Sequence, residues 1–134
     1  MTETSHRYWV QLRDRIISVR VPDGATDATL DGPSLFTQLE AHLSDPSGRP
    51  YYLLHDLRGT PTSAARRHRF TRWVNANQPL LGEALGAYAV VAESQVHRAM
   101  VGAVMWATEV PVPWRAFTKM EKARQWLTAQ RDGS

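Results

Sequence analysis

Apolar positions recur at every second place near the start of the chain. Tyr8, Val10 and Leu12 alternate with Trp9, Gln11 and Arg13, and Ile17, Val19 and Val21 alternate with Ile16, Ser18 and Arg20. Only Asp14-Arg15 separates the two runs. Two period-two runs joined by so short a break predict an antiparallel hairpin. From Pro22 to Gly32 the chain is rich in Asp, Thr and Gly and reads as a loop. Pro33 suits a first helical turn with Asp31 as its cap. Leu35, Phe36, Leu39 and Leu43 supply that helix's apolar stripe, and Asp45-Pro46-Ser47-Gly48 ends it.

Tyr51 to Leu57 is an apolar run between turn signals, the pattern of a buried central strand. Arg58-Gly59-Thr60-Pro61-Thr62 leaves it, and a helix follows from about Ser63 to Asn77, stopping before Pro79. Gly86 to Ala92 is a second buried strand. Ser94 caps a helix from Gln95 to Thr108, which Pro111 and Pro113 prevent from continuing. Trp114 to Phe117 is a short strand, and Thr118 with Glu121 has the spacing of a capping box. Met120, Ala123, Trp126 and Leu127 dock a last helix, and Arg131 to Ser134 reads as a tail. The order is β-β-α-β-α-β-α-β-α. That order predicts an α/β domain: a single-layer mixed sheet of about five strands packed with about four helices. Residues 1–134 read as one domain with flexible ends at 1–6 and 131–134, without internal repeats or a linker.

Composition narrows the chemistry. The 134 residues include no cysteine, which excludes a disulfide framework, a thiolate metal site and a cysteine nucleophile. The opening MTETSHRYW has no apolar signal-peptide core, and no apolar run approaches the ~18 residues of a membrane helix. The expectation is a cytoplasmic protein without a transmembrane segment. The net charge of +3 is local: Arg66, Arg67, Arg69 and Arg72 fall in one stretch, and without those four the chain has 12 basic and 13 acidic residues. Nucleic-acid binding is therefore not expected.

Asp56 and Glu93 stand at the carboxyl ends of the two central strands, the edge of an open α/β sheet where ligands bind. Helix starts near Ser63 and Gln95 turn free N–H groups to the same edge. With Thr60, Thr62, Ser63 and Ser94 beside them, these residues make a candidate strand-end site. Arg66 lies on the stripe continued by Phe70 and Trp73, so it is expected to face the sheet and to pair with Asp56 rather than stand buried alone. His68, Thr71 and Arg72 fall on the solvent side. The five histidines show no metal-ligand spacing, and His55 points to the other face of its strand from Asp56, so the two form no dyad. There is no glycine-rich phosphate loop and no nucleophile elbow.

The helix from Gln95 to Thr108 is apolar on every side, with no charge between Arg98 and Glu109. Such a helix is buried or covered by something. Val96, Met100, Ala103 and Val104 are expected on the sheet, leaving Val101, Met105 and Trp106 as an interaction surface.

Three stretches carry a family resemblance: Tyr52-Leu53-Leu54-His55-Asp56-Leu57-Arg58-Gly59, then Ala87 to Glu93 with Ser94 and its apolar helix, then Phe117 to Glu121 with Ala123 and Trp126-Leu127. Together with the element order they resemble the STAS fold of anti-anti-sigma factors, and more closely the SpoIIAA-like bacterial domains, over about residues 8–130. Those factors carry an Asp-Ser-Ser-Gly-type sequence whose serine is phosphorylated by a partner kinase. Here the corresponding stretch runs Arg58 to Arg66 without that motif, so Thr60, Thr62 and Ser63 match by position alone. The resemblance, the apolar helix and the lack of a catalytic motif together point to a regulatory, non-enzymatic module that docks to a protein partner or to itself; a second copy is the simplest cover for that helix, so a homodimer is expected, and no metal or cofactor is. The alternative is an apolar or lipid-like ligand held between sheet and helices, with Met100, Met105 and Trp106 as its wall.

Overall fold

The computed structural model describes residues 9–20, 35–59 and 64–133, apart from the side chains of Trp9, Leu35 and Arg66. The hairpin consists of β1 (Trp9–Arg13) and β2 (Ile16–Arg20), antiparallel, with Arg13 opposite Ile16. Asp14 and Arg15 turn the chain at φ 53° and 69°. Both angles are left-handed, and this is the two-residue turn whose twist matches that of the strands it joins. The loop expected over Pro22 to Gly32, and the Asp31 cap with Pro33, lie outside the described residues.

Helix α1 (Leu35–Leu43) ends on Arg49, whose Nε and Nη2 donate to the Leu43 carbonyl at 3.1 and 2.8 Å. Asp45 opens a short 3-10 turn over Pro46–Gly48 by accepting from Ser47 N at 3.0 Å. Strand β3 (Tyr51–Asp56) follows, then α2 (Ala64–Ala76), α3 (Gln78–Ala84) and β4 (Leu85–Val91). Next come α4 (Gln95–Thr108), β5 (Trp114–Phe117) and α5 (Met120–Asp132). Helix α3 is an addition to the expected order. Pro79 ends α2 as anticipated, but it sits in the first turn of a new helix, where its missing N–H costs nothing. At α5 the expected capping box does not form: Lys119 is the cap residue, and no side chain bonds there. The helix also absorbs Arg131 and Asp132 of the expected tail, and the Arg131 guanidinium donates to the Asp14 carbonyl at 3.3 Å.

The sheet order is β1-β2-β3-β4-β5, with every neighbour after the hairpin parallel. Parallel crossovers are right-handed. A sheet that adds its parallel strands in one direction therefore places each crossover helix on the same face. Accordingly α1 to α4 share one face, where Ile17, Val19, Leu53, Tyr88 and Val90 meet Leu39, Leu43, Trp73, Val74 and Met105. The other face has α5 alone, with Ala123 and Leu127 packed on Leu54, Ala87, Ala89 and Val91. The small residues of β4 let that single helix approach closely. Gly86 is needed for a different reason: the Tyr52 ring lies over it, and an added Cβ would sit 2.5 Å from a ring carbon.

Helix α4 is oriented differently from the sequence expectation. Met105 is 2% exposed, and Val101 is likewise buried in the core. Val96 is 82% exposed and Trp106 78%. Ala103 is also exposed, and Met100 and Val104 are half-buried at the flanks. Val101, Met105 and Thr108 repeat at helical spacing and form the inward stripe. Thr108 explains the turn. Its Oγ1 lies 3.1 Å from that of the half-buried Thr71 on α2, so the buried Thr108 hydroxyl has a partner. Thr71 thus faces α4 rather than solvent. Of the three residues expected at the surface, Trp106 alone is there.

Urea unfolding of dilute protein checks this orientation. Met105→Ala is expected to lose about 2–5 kcal/mol, as for other large-to-small core changes. Trp106→Ala should stay within about 0.5 kcal/mol of the parent. Similar losses for the two would mean that α4 is turned otherwise.

Candidate functional site

Strands β3 and β4 end side by side, with Asp56 opposite Val91. Leu57 N donates to the Val91 carbonyl at 2.9 Å and carries the ladder one residue further. Asp56 is buried at this edge. Its Oδ1 accepts from Arg58 N and Arg58 Nε, each at 3.0 Å, and its Oδ2 accepts from Arg58 Nη2 at 3.0 Å. One carboxylate therefore holds both the backbone and the guanidinium of the residue two positions on. Burial pushes the Asp56 carboxyl up. The Arg58 hydrogen bonds, with the charges of Arg58 and Arg20, outweigh burial and hold it below the usual carboxylate range.

The partner expected for Asp56 was Arg66, whose side chain lies outside the described residues. The observed partner is local. Arg58 follows the strand directly and bonds the carboxylate through both its amide and its guanidinium. Glu93 is engaged as well: its Oε1 accepts from Gly59 N at 2.6 Å. Gly59 has φ 77°, which a residue without Cβ adopts at no steric cost, and that turn presents its N–H to β4's side of the edge. Glu93 N donates to His97 Nδ1 at 3.0 Å, and Ser94 Oγ accepts from His97 N at 3.1 Å. Ser94 is the N-cap of α4, as its position before the helix indicated.

These contacts give the edge a definite character. Asp56 and Glu93 act as acceptors that fasten two loops together. An ionised Asp56 bonded three times to one arginine has no proton to give at neutral pH. Thr60, Thr62 and Ser63 lie outside the described residues. Among the described residues no group of three or more His, Asp or Glu side chains is placed to hold a metal ion.

Sequence reasoning missed a pair on the opposite side of the sheet. His55 Nδ1 lies 2.9 Å from the Tyr88 hydroxyl, with the two rings near-parallel at 6.2 Å between centroids. Phe70 of α2 covers Tyr88 at 6.3 Å. Burial pushes the Tyr88 phenol up and the His55 imidazole down to about 4, the latter against the pull of the adjoining Asp56 charge. The signal was available in the strand alternation. Tyr88 and Val90 share a face, and the parallel register sets His55 beside Val90 and Leu53 beside Tyr88.

The second surface of note is the outer side of α4. Val96, Ala99, Ala103, Trp106 and Ala107 are exposed and recur at helical spacing. Monomeric surfaces seldom leave an unbroken apolar stripe with a tryptophan in it.

Element order, sheet topology and a loop-fastening edge make a STAS-like layout, and residues 16–128 match the family model described as SpoIIAA-like. The chain belongs to the SpoIIAA-like family. Neither a curated protein nor a solved structure gives a match. The matched span of this SpoIIAA-like domain runs from the first residue of β2 into α5, so it contains the strand-end site and the whole of α4. No described helix of the domain is long and apolar enough to cross a membrane.

Two outcomes follow. The folded His55 titrates near 4 against about 6.5 in the unfolded chain. Its folded value is depressed, so its contribution is full above about pH 6.5 and is lost as pH falls towards 4. The amount is on the order of 3 kcal/mol. Denaturant titrations across that window should show the loss, and His55→Gln should remove most of it. An unchanged slope in the variant would assign the acid sensitivity elsewhere. Separately, Asp56→Ala leaves the Arg58 amide and guanidinium without their acceptor and should cost about 1–3 kcal/mol. A change within about 0.5 kcal/mol, the range of ordinary surface substitutions, would mean that the fork does not hold the loop.

Proposed function

We propose that this SpoIIAA-like domain is a non-enzymatic regulatory module that works by docking to a protein through the outer side of α4. The observation that supports this reading most is the exposure of Trp106 and Val96 on a helix whose opposite side is packed in the core. Tryptophan is enriched at the centre of protein interfaces because it offers a large apolar body with few rotatable bonds. The strand-end site fits the same reading. Both oxygens of Asp56 bond Arg58, and one oxygen of the exposed Glu93 accepts from Gly59, so both carboxylates anchor the loop. That anchoring also sets where α4 begins, because Glu93, Ser94 and His97 are bonded to one another at its first turn.

The alternative, an apolar ligand between sheet and helices, has less support. Met105 fills the core and Trp106 points away from it, so the three residues expected to wall a pocket do not share one. An open groove lined by Met120, Arg124, Thr128 and neighbouring residues belongs to α5.

Site-specific photo-crosslinking in the native cell tests the docking surface. A photoreactive side chain at Ala103 should capture protein, and the same group at Arg124 on α5 should not. Capture at Arg124 alone, or a lipid adduct at Ala103, would overturn the reading. So would catalytic turnover that Asp56→Asn or Glu93→Gln abolishes.

A further inference from the structure

We infer that the outer edge of β1 takes an extended acidic segment of a partner protein, which adds to the sheet as a further strand. The site is separate from the α4 face, and the inference goes beyond the docking proposed there. Its first support is the backbone. Strand β1 stands at the end of the sheet, with β2 on one side. The two-residue turn at Asp14 and Arg15 makes Arg13 and Ile16 a pair that exchanges both backbone hydrogen bonds. Such pairs alternate with non-bonded ones along an antiparallel ladder. Gln11 therefore bonds Ser18 in the same way, while Val10 and Leu12 turn their N–H and C=O groups outward. The far side of β2 agrees: the Arg15 carbonyl accepts from Tyr52 N at 2.8 Å, so Ile17 and Val19 bond β3 and Ile16 and Ser18 are left for β1. Among the described residues the outward groups of Val10 and Leu12 have no hydrogen-bond partner.

The second support is what stands on each side of that edge. Val10 and Leu12 face the helical layer, where Val10 packs on the core and Leu12 is 40% exposed. The opposite face presents Gln11, Arg13 and Arg20, all exposed. Arg15 leans to the same face, its Cζ 5.8 Å from the Tyr52 ring centroid. Helix α5 packs on β3, β4 and β5 on that face. Residues 9–20 contain three arginines and one acid, Asp14 in the turn. Arg13 is the arginine next to the outer edge, and it forms no ion pair among the described residues.

An incoming strand that pairs with Val10 and Leu12 thus meets apolar side chains on one face and arginine on the other. Its own side chains alternate in the same way. Apolar residues opposite Val10 and Leu12 would cover Leu12, and acids opposite Gln11 and Arg13 would be drawn to the arginines. Main-chain bonds supply the attachment and the alternating side chains the selectivity, as in other cases of strand addition. Charge also decides against a second copy. A two-fold axis normal to the sheet would keep the arginines of both copies on one face, so self-pairing sets like charge against like.

Fluorescence anisotropy with a short labelled peptide alternating Glu and Val tests the edge. So small a contact predicts a dissociation constant on the order of 100 μM at low salt, weakening as salt is added. Methylating the Val amide nitrogens, which would point at β1, should abolish binding, and methylating the Glu amides, which would point away, should leave it intact. A peptide alternating Lys and Val should not bind. Arg13→Glu should weaken binding of the acidic peptide about tenfold, since it turns attraction into repulsion. Arg13 is exposed, and circular dichroism checks that the variant is folded. Trp106→Ala should leave the affinity unchanged, so failure at this edge and failure at the α4 face can be told apart.

No binding up to millimolar peptide overturns the inference. Binding that survives methylation of the Val amides overturns it too, because charge alone would then hold the peptide. Val10 and Leu12 amide resonances that shift with protein concentration in the absence of peptide would assign the edge to a second copy and overturn it as well.

Discussion

Tyr51, Tyr52, Leu53 and Leu54 are consecutive and all buried, so β3 is apolar on both faces and must be covered twice. That requirement organises the molecule. The right-handed crossovers take α1 to α4 to one face, and the other depends on α5. Four helices are more than that first face needs to be sealed. They crowd together in a layer where each can turn only one stripe inward. Helix α4 turns Val101, Met105 and Thr108, and the remainder of an almost wholly apolar helix is left outside. The exposed stripe is thus a consequence of how β3 is buried, combined with a sequence that puts no charge between Arg98 and Glu109.

The strand-end site belongs to the same plan. Two parallel strands deliver Asp56 and Glu93 to one edge, where each takes donors from the loop that leaves β3. In other α/β sheets such an edge holds a ligand. Here the Arg58 fork engages both oxygens of Asp56 and the Gly59 amide one oxygen of Glu93, and the first turn of α4 is fixed by Ser94 and His97. The edge sets the pose of the helix that presents Trp106. Beneath it, the His55–Tyr88 pair places a neutral imidazole under α2, which ties the stability of the helical layer to acidity.

Where side-chain polarity alternates or a small set of residues can do the job, the structure was legible from the residues. The hairpin about Asp14-Arg15, β5 over Trp114–Phe117, and the Ser94 cap with its helix over Gln95–Thr108 are of this kind. The failures share a cause. On α4 every position is apolar, so periodicity cannot say which side turns inward; the Thr71–Thr108 hydroxyl pair does, and it joins residues 37 positions apart. Pro79 was read as a stop, yet in a first turn it is also a start, and only the packing of Leu81 and Ala84 chooses between the two. At Asp56 the Arg58 partner went unread, because a helical wheel says nothing about loops. The family was legible from order and motif together, while the exposed stripe of α4 needed the side chains in place.

The outer stripe of α4 is the centre of this account, and Trp106 is its probe. The five tryptophan indole N–H resonances can be followed in a labelled sample as unlabelled, dialysed extract of the native cell is added over a wide range of concentration. The account requires the Trp106 resonance to move along a saturable curve. The Trp73 indole, bonded to Glu40 at 2.7 Å inside the helical layer, should stay in place. A Trp106 resonance that does not move over that range, or one that moves no more than that of Trp73, would contradict it.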